Sequence, residues 1–423
     1  MPDGSATAHL FRPKLATLVN EGYSLATLRA DALAGLTVAI VALPLSMAIA
    51  VASGVSPDRG LYAAIVGGFL VSALGGSRFQ IGGPAGAFIT VVLATVTTHG
   101  TDGLILAVLL SGIMLTILGL TRLGSLIRYL PHAVAVGFTT GIAIIIFASQ
   151  LKDLAGLKLT AAEPGPLLPK LAVLGSAIAT LNPAALALGI GSAAVVFVLQ
   201  RWKPTWPGLL IAIVLASLLA AVFGLPVETI GSRFGGIAHG LPAPAMPALD
   251  YAKFIAILPA AFSFTLLGAV ESLLSAKVAD GMTGRKHRYN MELVAQGIAN
   301  VGSAFFGGIS VTGTIARTAT NIRAGGRSPI AGILHALFLL MFMLVAASLA
   351  SAIPLSALAG LLLVVCWNMA DKEEFAALVR RKDTAAVLLA TFGVTLVVDL
   401  TFGIIAGCAL AALLAIAARS PKV

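Results

Sequence analysis

Apolar stretches in which charged residues are rare recur along almost the whole of this 423-residue chain. Hydrophobic residues make up 58% of the sequence and charged residues 10%, whereas a typical soluble domain carries about a quarter charged residues. A hydrocarbon layer of ~30 Å needs about 20 apolar residues per helix, so the chain is long enough to cross a bilayer many times. The sequence therefore predicts an all-α polytopic membrane protein and excludes soluble globular, disordered and collagen-like chains.

Fourteen transmembrane spans can be assigned from these stretches. They lie at 32–52, 60–76, 84–98, 103–121, 132–150, 183–200, 207–224, 253–277, 291–305, 312–322, 329–350, 353–370, 384–398 and 401–418. With a cytoplasmic N-terminus, most Lys and Arg residues fall in cytoplasmic loops, as the positive-inside rule requires. Residues 168–181 are too short to cross and are predicted to form a surface helix. We expect a multi-pass protein of the cell inner (plasma) membrane with both termini in the cytoplasm.

Several other classes of protein are excluded. The net charge of +10 does not indicate nucleic-acid binding, because the basic residues lie in small groups between the apolar stretches. The two cysteines, Cys366 and Cys408, form neither a disulfide framework nor a CxxC metal site. HExxH, GxSxG and P-loop patterns are absent from the sequence. We therefore expect no enzyme activity, no metal and no cofactor beyond a coupling ion.

Two apolar regions are interrupted by residues that disfavour a helix. Residues 79–86 read Phe-Gln-Ile-Gly-Gly-Pro-Ala-Gly, and residues 306–314 read Phe-Gly-Gly-Ile-Ser-Val-Thr-Gly-Thr. Non-helical backbone at membrane depth survives only where it is buried in protein or lines a cavity. The breaks fall in spans three and ten, and an offset of seven spans inverts the topology. Paired breaks of this kind indicate inverted repeats with a binding site at the midplane.

The inverted repeat predicts that two half-helices, beginning near Pro84 and near Thr312, meet with their N-termini at mid-membrane. Their unsatisfied N–H groups and partial positive charges would form an anion pocket. Simple kinks are the alternative, since Gly and Pro are common in transmembrane helices. The predicted substrate-binding residues are Ser46, Met47, Pro84, Ala85, Gly86, Phe88, Ser275, Val311, Thr312, Gly313, Thr314 and Arg317.

Glu271 lies deep in predicted span eight, and Ser275 shares its helix face. A carboxyl group away from water holds a proton more readily than an exposed one, which suits a proton-coupling site. A sodium ligand and a structural hydrogen bond to another span are the alternatives. Arg317 follows the second break and could add positive charge to the pocket, pair with Glu271 or extend to the cytoplasmic surface.

Several motifs between residues 30 and 418 match those of a known family, both in their residues and in their order along the chain. They are Ala42–Ala48, Gly60–Ala64, Gly75–Arg78, Gln80–Pro84, Gly137–Gly141, Gly240–Pro242 and Thr312–Ala319. In these motifs the chain resembles a bacterial member of the SulP (sulfate permease) anion transporters, the solute carrier 26 family. The resemblance implies fourteen transmembrane segments in two inverted seven-segment repeats, with broken segments 3 and 10 meeting at the midplane.

The resemblance also implies a core domain that moves against a gate domain in an elevator-like way. After a cytoplasmic lead-in at 1–30, the core would comprise 31–122 (segments 1–4) and 251–350 (segments 8–11), and the gate 123–250 (segments 5–7) and 351–418 (segments 12–14). Pro44-Leu45 stands where many relatives have Pro-Gln, so a glutamine contact to the substrate is absent. The family's cytoplasmic STAS domain does not follow the last span in this sequence; we expect it in the full-length protein, and a homodimer is consistent with the family.

The predicted function is secondary active transport, a proton-coupled symport of a small anion. Sulfate, bicarbonate and a dicarboxylate such as fumarate all fit two facing helix N-termini, and sodium is the alternative coupling ion. A nucleobase–cation symporter of the same fold usually needs more than one core carboxylate, whereas this chain has one deep Glu. An anion channel or exchanger could use the same pocket. The expected partners are the anion and the lipid bilayer, with no nucleic acid.

Overall fold

The computed structural model describes residues 11–124, 131–160, 164, 167–204, 206–247, 251–398 and 400–419, and these residues are mostly helical. The first ten residues of the predicted lead-in lie outside this range. In chain order the elements are α1 (Lys14–Glu21), α2 (Leu25–Ala52), α3 (Pro57–Tyr62), α4 (Gly68–Leu74), β1 (Gly82–Gly83), α5 (Ile89–Leu120), α6 (His132–Leu154), α7 (Leu167–Ser176), α8 (Pro183–Trp202), α9 (Gly208–Val222), α10 (Ile230–Phe234), α11 (Tyr251–Thr283), α12 (Tyr289–Phe305), β2 (Thr312–Gly313), α13 (Ile315–Arg323), α14 (Ile330–Ala350), α15 (Leu355–Met369), α16 (Lys372–Arg380), α17 (Lys382–Val397) and α18 (Leu400–Arg419).

The described helices account for all fourteen predicted spans. Among the described residues, seven helical stretches are long and apolar enough to cross a membrane, and shorter apolar helices lie at α7, α9, α17 and α18. A π-helical turn at Ala63–Gly67 joins α3 to α4 as one span. Helix α5 forms two spans because Gly100, at φ 70° and ψ −176°, breaks it. The predicted all-α membrane architecture is therefore confirmed, and the segment predicted as a surface helix, 168–181, overlaps the ten-residue α7.

Polar residues at the helix starts explain several boundaries. Ser24 accepts a hydrogen bond from the Thr27 N–H, so α2 begins at Leu25 and the lead-in ends earlier than predicted. Asn182 accepts from two N–H groups of the first turn of α8, where Pro183 occupies a position that needs no N–H donor. The sequence prediction placed the start of span one after its last charged residue, although charges are tolerated where a helix extends beyond the hydrocarbon.

Two groups of helices pack mainly among themselves. In the first, α5 lies against α11 and α12, and α14 lies against α2 and α4. In the second, α17 lies against α6 and α18, and α15 lies against α6 and α8. The first group is called the core group here and the second the gate group, because the helices named in each lie in the ranges predicted for the core domain and the gate domain. Helix α2 also contacts α9 and α15, so it borders both groups.

A buried carboxylate fixes the beginning of α2 to the loop that follows α13. Asp31 has no exposed surface. It accepts hydrogen bonds from the backbone N–H groups of Arg327 and Ser328, at 2.6 and 3.1 Å, and from the Ser328 hydroxyl at 2.5 Å. The Tyr23 hydroxyl donates a further bond at 2.8 Å. A loop that would otherwise bury unsatisfied N–H groups is thereby stabilised.

Candidate substrate site

The two broken segments lie against each other and form one short antiparallel ladder. Gly82 pairs with Gly313, and Gly83 pairs with Thr312. The Thr314 N–H donates to the Ile81 carbonyl at 3.0 Å. Paired residues in such a ladder have Cα atoms about 5 Å apart. Both breaks therefore border the same small region, in which one ion could contact both.

The half-helices begin later than predicted. The first begins as a 3₁₀ turn at Gly86–Phe88 and continues as α5, and the second begins at Ile315. Pro84 and Thr312 precede these helices, because the backbone beside them is used in the ladder between the breaks. The N–H groups in the first turn of a helix lack intrahelical acceptors, and each helix end carries about half a positive charge. The positive ends thus lie at Gly86–Phe88 and at the start of α13.

Arg317 brings a full positive charge to the breaks. Its side chain is 1% exposed, so it does not extend to a membrane surface. One terminal nitrogen, Nη2, donates to the Ser46 hydroxyl at 3.0 Å and to the Pro84 carbonyl at 3.3 Å. Its Nε and Nη1 atoms have no hydrogen-bond partner among the described residues. Because a buried charge is costly without a partner, these donors point to an anionic ligand.

Hydroxyl groups connect α11 to the second break. The Ser272 and Thr312 hydroxyl oxygens are 2.7 Å apart. Ser275 donates to the Thr318 hydroxyl at 3.3 Å, and that hydroxyl accepts from the Ile81 N–H at 3.1 Å. Sequence reasoning missed Ser272 and Thr318. The sequence signal that could have identified them is that Ser272 follows Glu271 and Thr318 follows Arg317, each within an apolar span.

Two amide side chains that sequence reasoning also missed hold the breaks in place. Asn300 donates to the Val311 carbonyl at 2.7 Å and accepts from the Val311 N–H at 2.9 Å. Gln80 donates to the Ser272 carbonyl at 3.2 Å. A Cβ atom at Gly313 would lie 1.5 Å from Gln80 Nε2, so a larger residue here would displace the Gln80 side chain. The sequence signal was a polar residue within predicted span nine for Asn300 and within the first break for Gln80.

Glu271 lies on α11 beside this network. Its side chain is half-buried, and its Oε2 atom is buried without a hydrogen-bond partner among the described residues. None of the ion pairs in the described ranges joins it to Arg317. A carboxyl group without a fixed partner at membrane depth is a candidate for binding a proton or a cation. Glu271 could therefore bind a proton or a cation although it makes no hydrogen bond to either break among the described residues.

The remaining predicted residues are mostly apolar and buried. Met47, Ala85, Phe88 and Val311 are each less than 9% exposed, and Gly86 is half-buried. Phe88 stacks on Phe264 with ring centroids 5.9 Å apart and planes at 5°. These side chains exclude water near the first half-helix, which strengthens electrostatic interactions there.

A cavity of about 420 Å³ lies between the core and gate groups. Hydroxyl groups of Thr90, Thr95, Ser263 and Thr401 are among its lining, and the described lining residues include no Asp, Glu, Lys or Arg. The lining residues of α5 follow Phe88 and those of α11 precede Phe264, so the cavity lies to one side of the Phe88–Phe264 stack. Among the described residues, the cavity therefore offers hydroxyl and apolar groups beside the first half-helix.

Comparison with known sequences gives consistent matches. The model of the Sulfate permease family matches residues 28–392. YvdB of Bacillus subtilis, named provisionally as a sulfate transporter, is 40% identical over 394 residues, which cover 92% of this chain and 74% of YvdB. The bicarbonate transporter BicA of Picosynechococcus sp. is 34% identical over 355 residues, which cover 81% of this chain and 62% of BicA.

Solved structures agree with the fold. The transmembrane domain of a cyanobacterium bicarbonate transporter BicA superimposes with a TM-score of 0.80 at 30% identity, covering 91% of this chain and 98% of that domain. Murine Solute Carrier 26 family member A9, an anion transporter in the inward-facing state, gives a TM-score of 0.87 at 20% identity, covering 99% and 73%. The second match concerns the fold alone. The predicted fold of two inverted seven-segment repeats is confirmed.

Proposed function

Because this chain belongs to the sulfate permease family and is an anion transporter rather than an enzyme, we propose that it carries a small oxyanion across the membrane together with a proton. The observation that carries the proposal is the convergence of two helix N-termini and the Arg317 guanidinium on one pair of hydrogen-bonded breaks. Helix N-termini and guanidinium groups both favour oxyanions. Sulfate is our first candidate and bicarbonate our second, since relatives carry these names. Fumarate and similar dicarboxylates are the third.

Proton coupling is proposed to depend on Glu271. An anion arriving near a carboxylate destabilises it, because like charges repel, and so favours its protonation. The anion and the proton then bind together, which is the condition for symport. The absence of a fixed partner for Oε2 among the described residues supports this role. Sodium binding at the same carboxyl group would give sodium-driven uptake instead.

We propose that transport proceeds by an elevator-like movement of the core group. Both breaks, Arg317 and Glu271 belong to that group, so a bound anion would move with it past the gate group. The cavity between the groups gives access from one side, and this is the outer side if the N-terminus is cytoplasmic. Location in the plasma membrane and assembly as a homodimer belong to the same proposal.

Uptake into proteoliposomes tests this function. Labelled sulfate, bicarbonate and fumarate should be compared with and without an inward proton gradient, and with a sodium gradient at fixed pH. We expect saturable uptake of an inorganic oxyanion that the proton gradient accelerates. Flux that does not saturate would indicate a channel, and competition by uracil but not by sulfate would indicate a nucleobase symporter.

A further inference from the structure

Three segments of the chain meet at one end of the core group. The Lys14 N–H donates to the Gly75 carbonyl at 2.9 Å, and the Arg288 N–H donates to the Gly76 carbonyl at 3.0 Å. The Lys14 ammonium group donates to the Lys286 carbonyl at 3.0 Å. Residues 11–21, 75–78 and 280–288 thus pack together in one region, called the basic end here, in which 75–78 are buried and Arg285 and Lys286 are exposed.

Positive charge predominates on the basic end. Its Lys and Arg residues are Arg12, Lys14, Arg78, Arg285, Lys286 and Arg288, and its carboxylates are Glu21 and Asp280. Glu21 is engaged by Arg78, and Asp280 accepts from the His287 N–H at 3.1 Å and lies 2.7 Å from its Nδ1 atom. Burial and the nearby Arg288 and Arg78 guanidinium groups lower the pKa of Lys14. The cations therefore repel one another, and an added anion would relieve that repulsion.

The basic end adjoins apolar side chains that face outward. Val278 and Met282, on the last turns of α11, are 38% and 40% exposed, and Leu25 at the start of α2 is 73% exposed. A Cβ atom at Gly281 or Gly284 would meet nothing within 4 Å, so the surface beside them is open. Val278 and Met282 lie just beyond predicted span eight, where a helix passes from the hydrocarbon into the headgroup region. Cations and exposed apolar residues are thus adjacent at this end of α11.

We propose that the basic end binds an acidic phospholipid. The exposed Arg285 and Lys286 hold the phosphate, and an acyl chain lies along Val278 and Met282. Both basic side chains suit a phosphate oxygen, and basic surfaces beside transmembrane helices recognise acidic headgroups. A free phosphate ion offers the same charge but gains nothing from the apolar residues. The combination therefore selects a lipid.

The test uses the full chain in detergent, titrated with phosphatidylglycerol or phosphatidylcholine while bound lipid is counted by native mass spectrometry. The double variant Arg285→Gln/Lys286→Gln keeps the backbone carbonyl that Lys14 contacts. At about 1 kcal/mol per charge, it should bind phosphatidylglycerol about 30-fold more weakly than the wild type. The matched control is Arg201→Gln/Lys203→Gln, which removes two exposed cations at the end of α8 in the gate group.

The wild type should bind phosphatidylglycerol more tightly than phosphatidylcholine and should lose affinity as salt is added. The control variant should bind phosphatidylglycerol as tightly as the wild type. Equal weakening in the control, or equal binding of phosphatidylcholine, would overturn the proposal. Inorganic phosphate that displaces the lipid at similar concentration would show an ion site without lipid selectivity and would also overturn it. The salt and lipid-class comparisons need the wild type alone, so the test survives a variant that fails to fold.

Discussion

Replacing Gly83 with alanine should displace Arg317 while leaving the fold intact. A Cβ atom at Gly83 would lie 2.1 Å from Arg317 Nη1, whereas ordinary contact begins at 3.4 Å. The guanidinium must therefore retreat by about 1.3 Å. Its bonds to Ser46 and Pro84 are already 3.0 and 3.3 Å long, so this shift disrupts them. The obstacle is the end of a flexible side chain, so the fold should persist, but Gly83 has φ 159°, which strains a residue with a Cβ atom, and we also expect a lower unfolding temperature.

The expected loss is in anion affinity. A hydrogen bond to a charged group contributes about 1.5–3 kcal/mol, so losing one such contact to the bound anion weakens binding about 10- to 150-fold. Titration calorimetry on the purified protein, with sulfate and bicarbonate as ligands, measures this change directly. The control is Gly191→Ala, since a Cβ atom there meets nothing within 4 Å.

A double-variant cycle separates this explanation from a general disturbance of the break. In the Arg317→Gln background, Gly83→Ala should cause little further loss, because the group that it displaces is gone. Wild-type affinity in Gly83→Ala would refute the reasoning. So would a penalty in the double variant equal to the sum of the two single penalties.

Three further changes have defined outcomes. Glu271→Gln should imitate the protonated carboxyl, so anion binding measured by calorimetry persists while accumulation driven by a proton gradient in proteoliposomes is lost; intact accumulation would make the carboxyl structural. Phe88→Ala should remove the stack with Phe264 and leave space beside the cavity that Thr90 lines, so a cysteine reagent directed at a Thr90→Cys reporter should react faster; an unchanged rate would contradict this. Asp31→Asn should lower the free energy of unfolding by about 1.5–3 kcal/mol, because a charged acceptor of backbone N–H groups is lost; an unchanged thermal unfolding curve would argue against it.

The spans and the breaks were predictable because each has a local cause. Long apolar stretches fixed the number of spans, and the Gly-Gly-Pro sequence at Gly82–Pro84 showed where a helix could not continue. The ladder between the breaks was not predictable, since two residues per strand carry no periodic pattern. For the same reason the half-helix starts were placed two to three residues too early.

Contacts between segments that are distant along the chain could not be predicted from the sequence either. The sequence could not decide whether Arg317 adds charge to the pocket, pairs with Glu271 or extends to the cytoplasmic surface. The surroundings of Arg317 depend on the distance between α2 and α13, which no local sequence pattern encodes. The contact with Ser46 joins residues 271 positions apart. The bonds from Asp31 to the loop before α14 span nearly 300 positions. A polar residue near a span end predicts only that it needs a partner.

Locating the bound anion tests the central claim most directly. Selenate is a tetrahedral oxyanion like sulfate, and anomalous diffraction from its selenium marks its position in crystals of the protein. We predict a peak within hydrogen-bonding reach of the first-turn N–H groups at Gly86 and Ala87 and at Ile315–Arg317, beside the Arg317 guanidinium, and its loss in Arg317→Gln crystals. A peak confined to the cavity on the other side of the Phe88–Phe264 stack, or one unaffected by Arg317→Gln, would contradict the account.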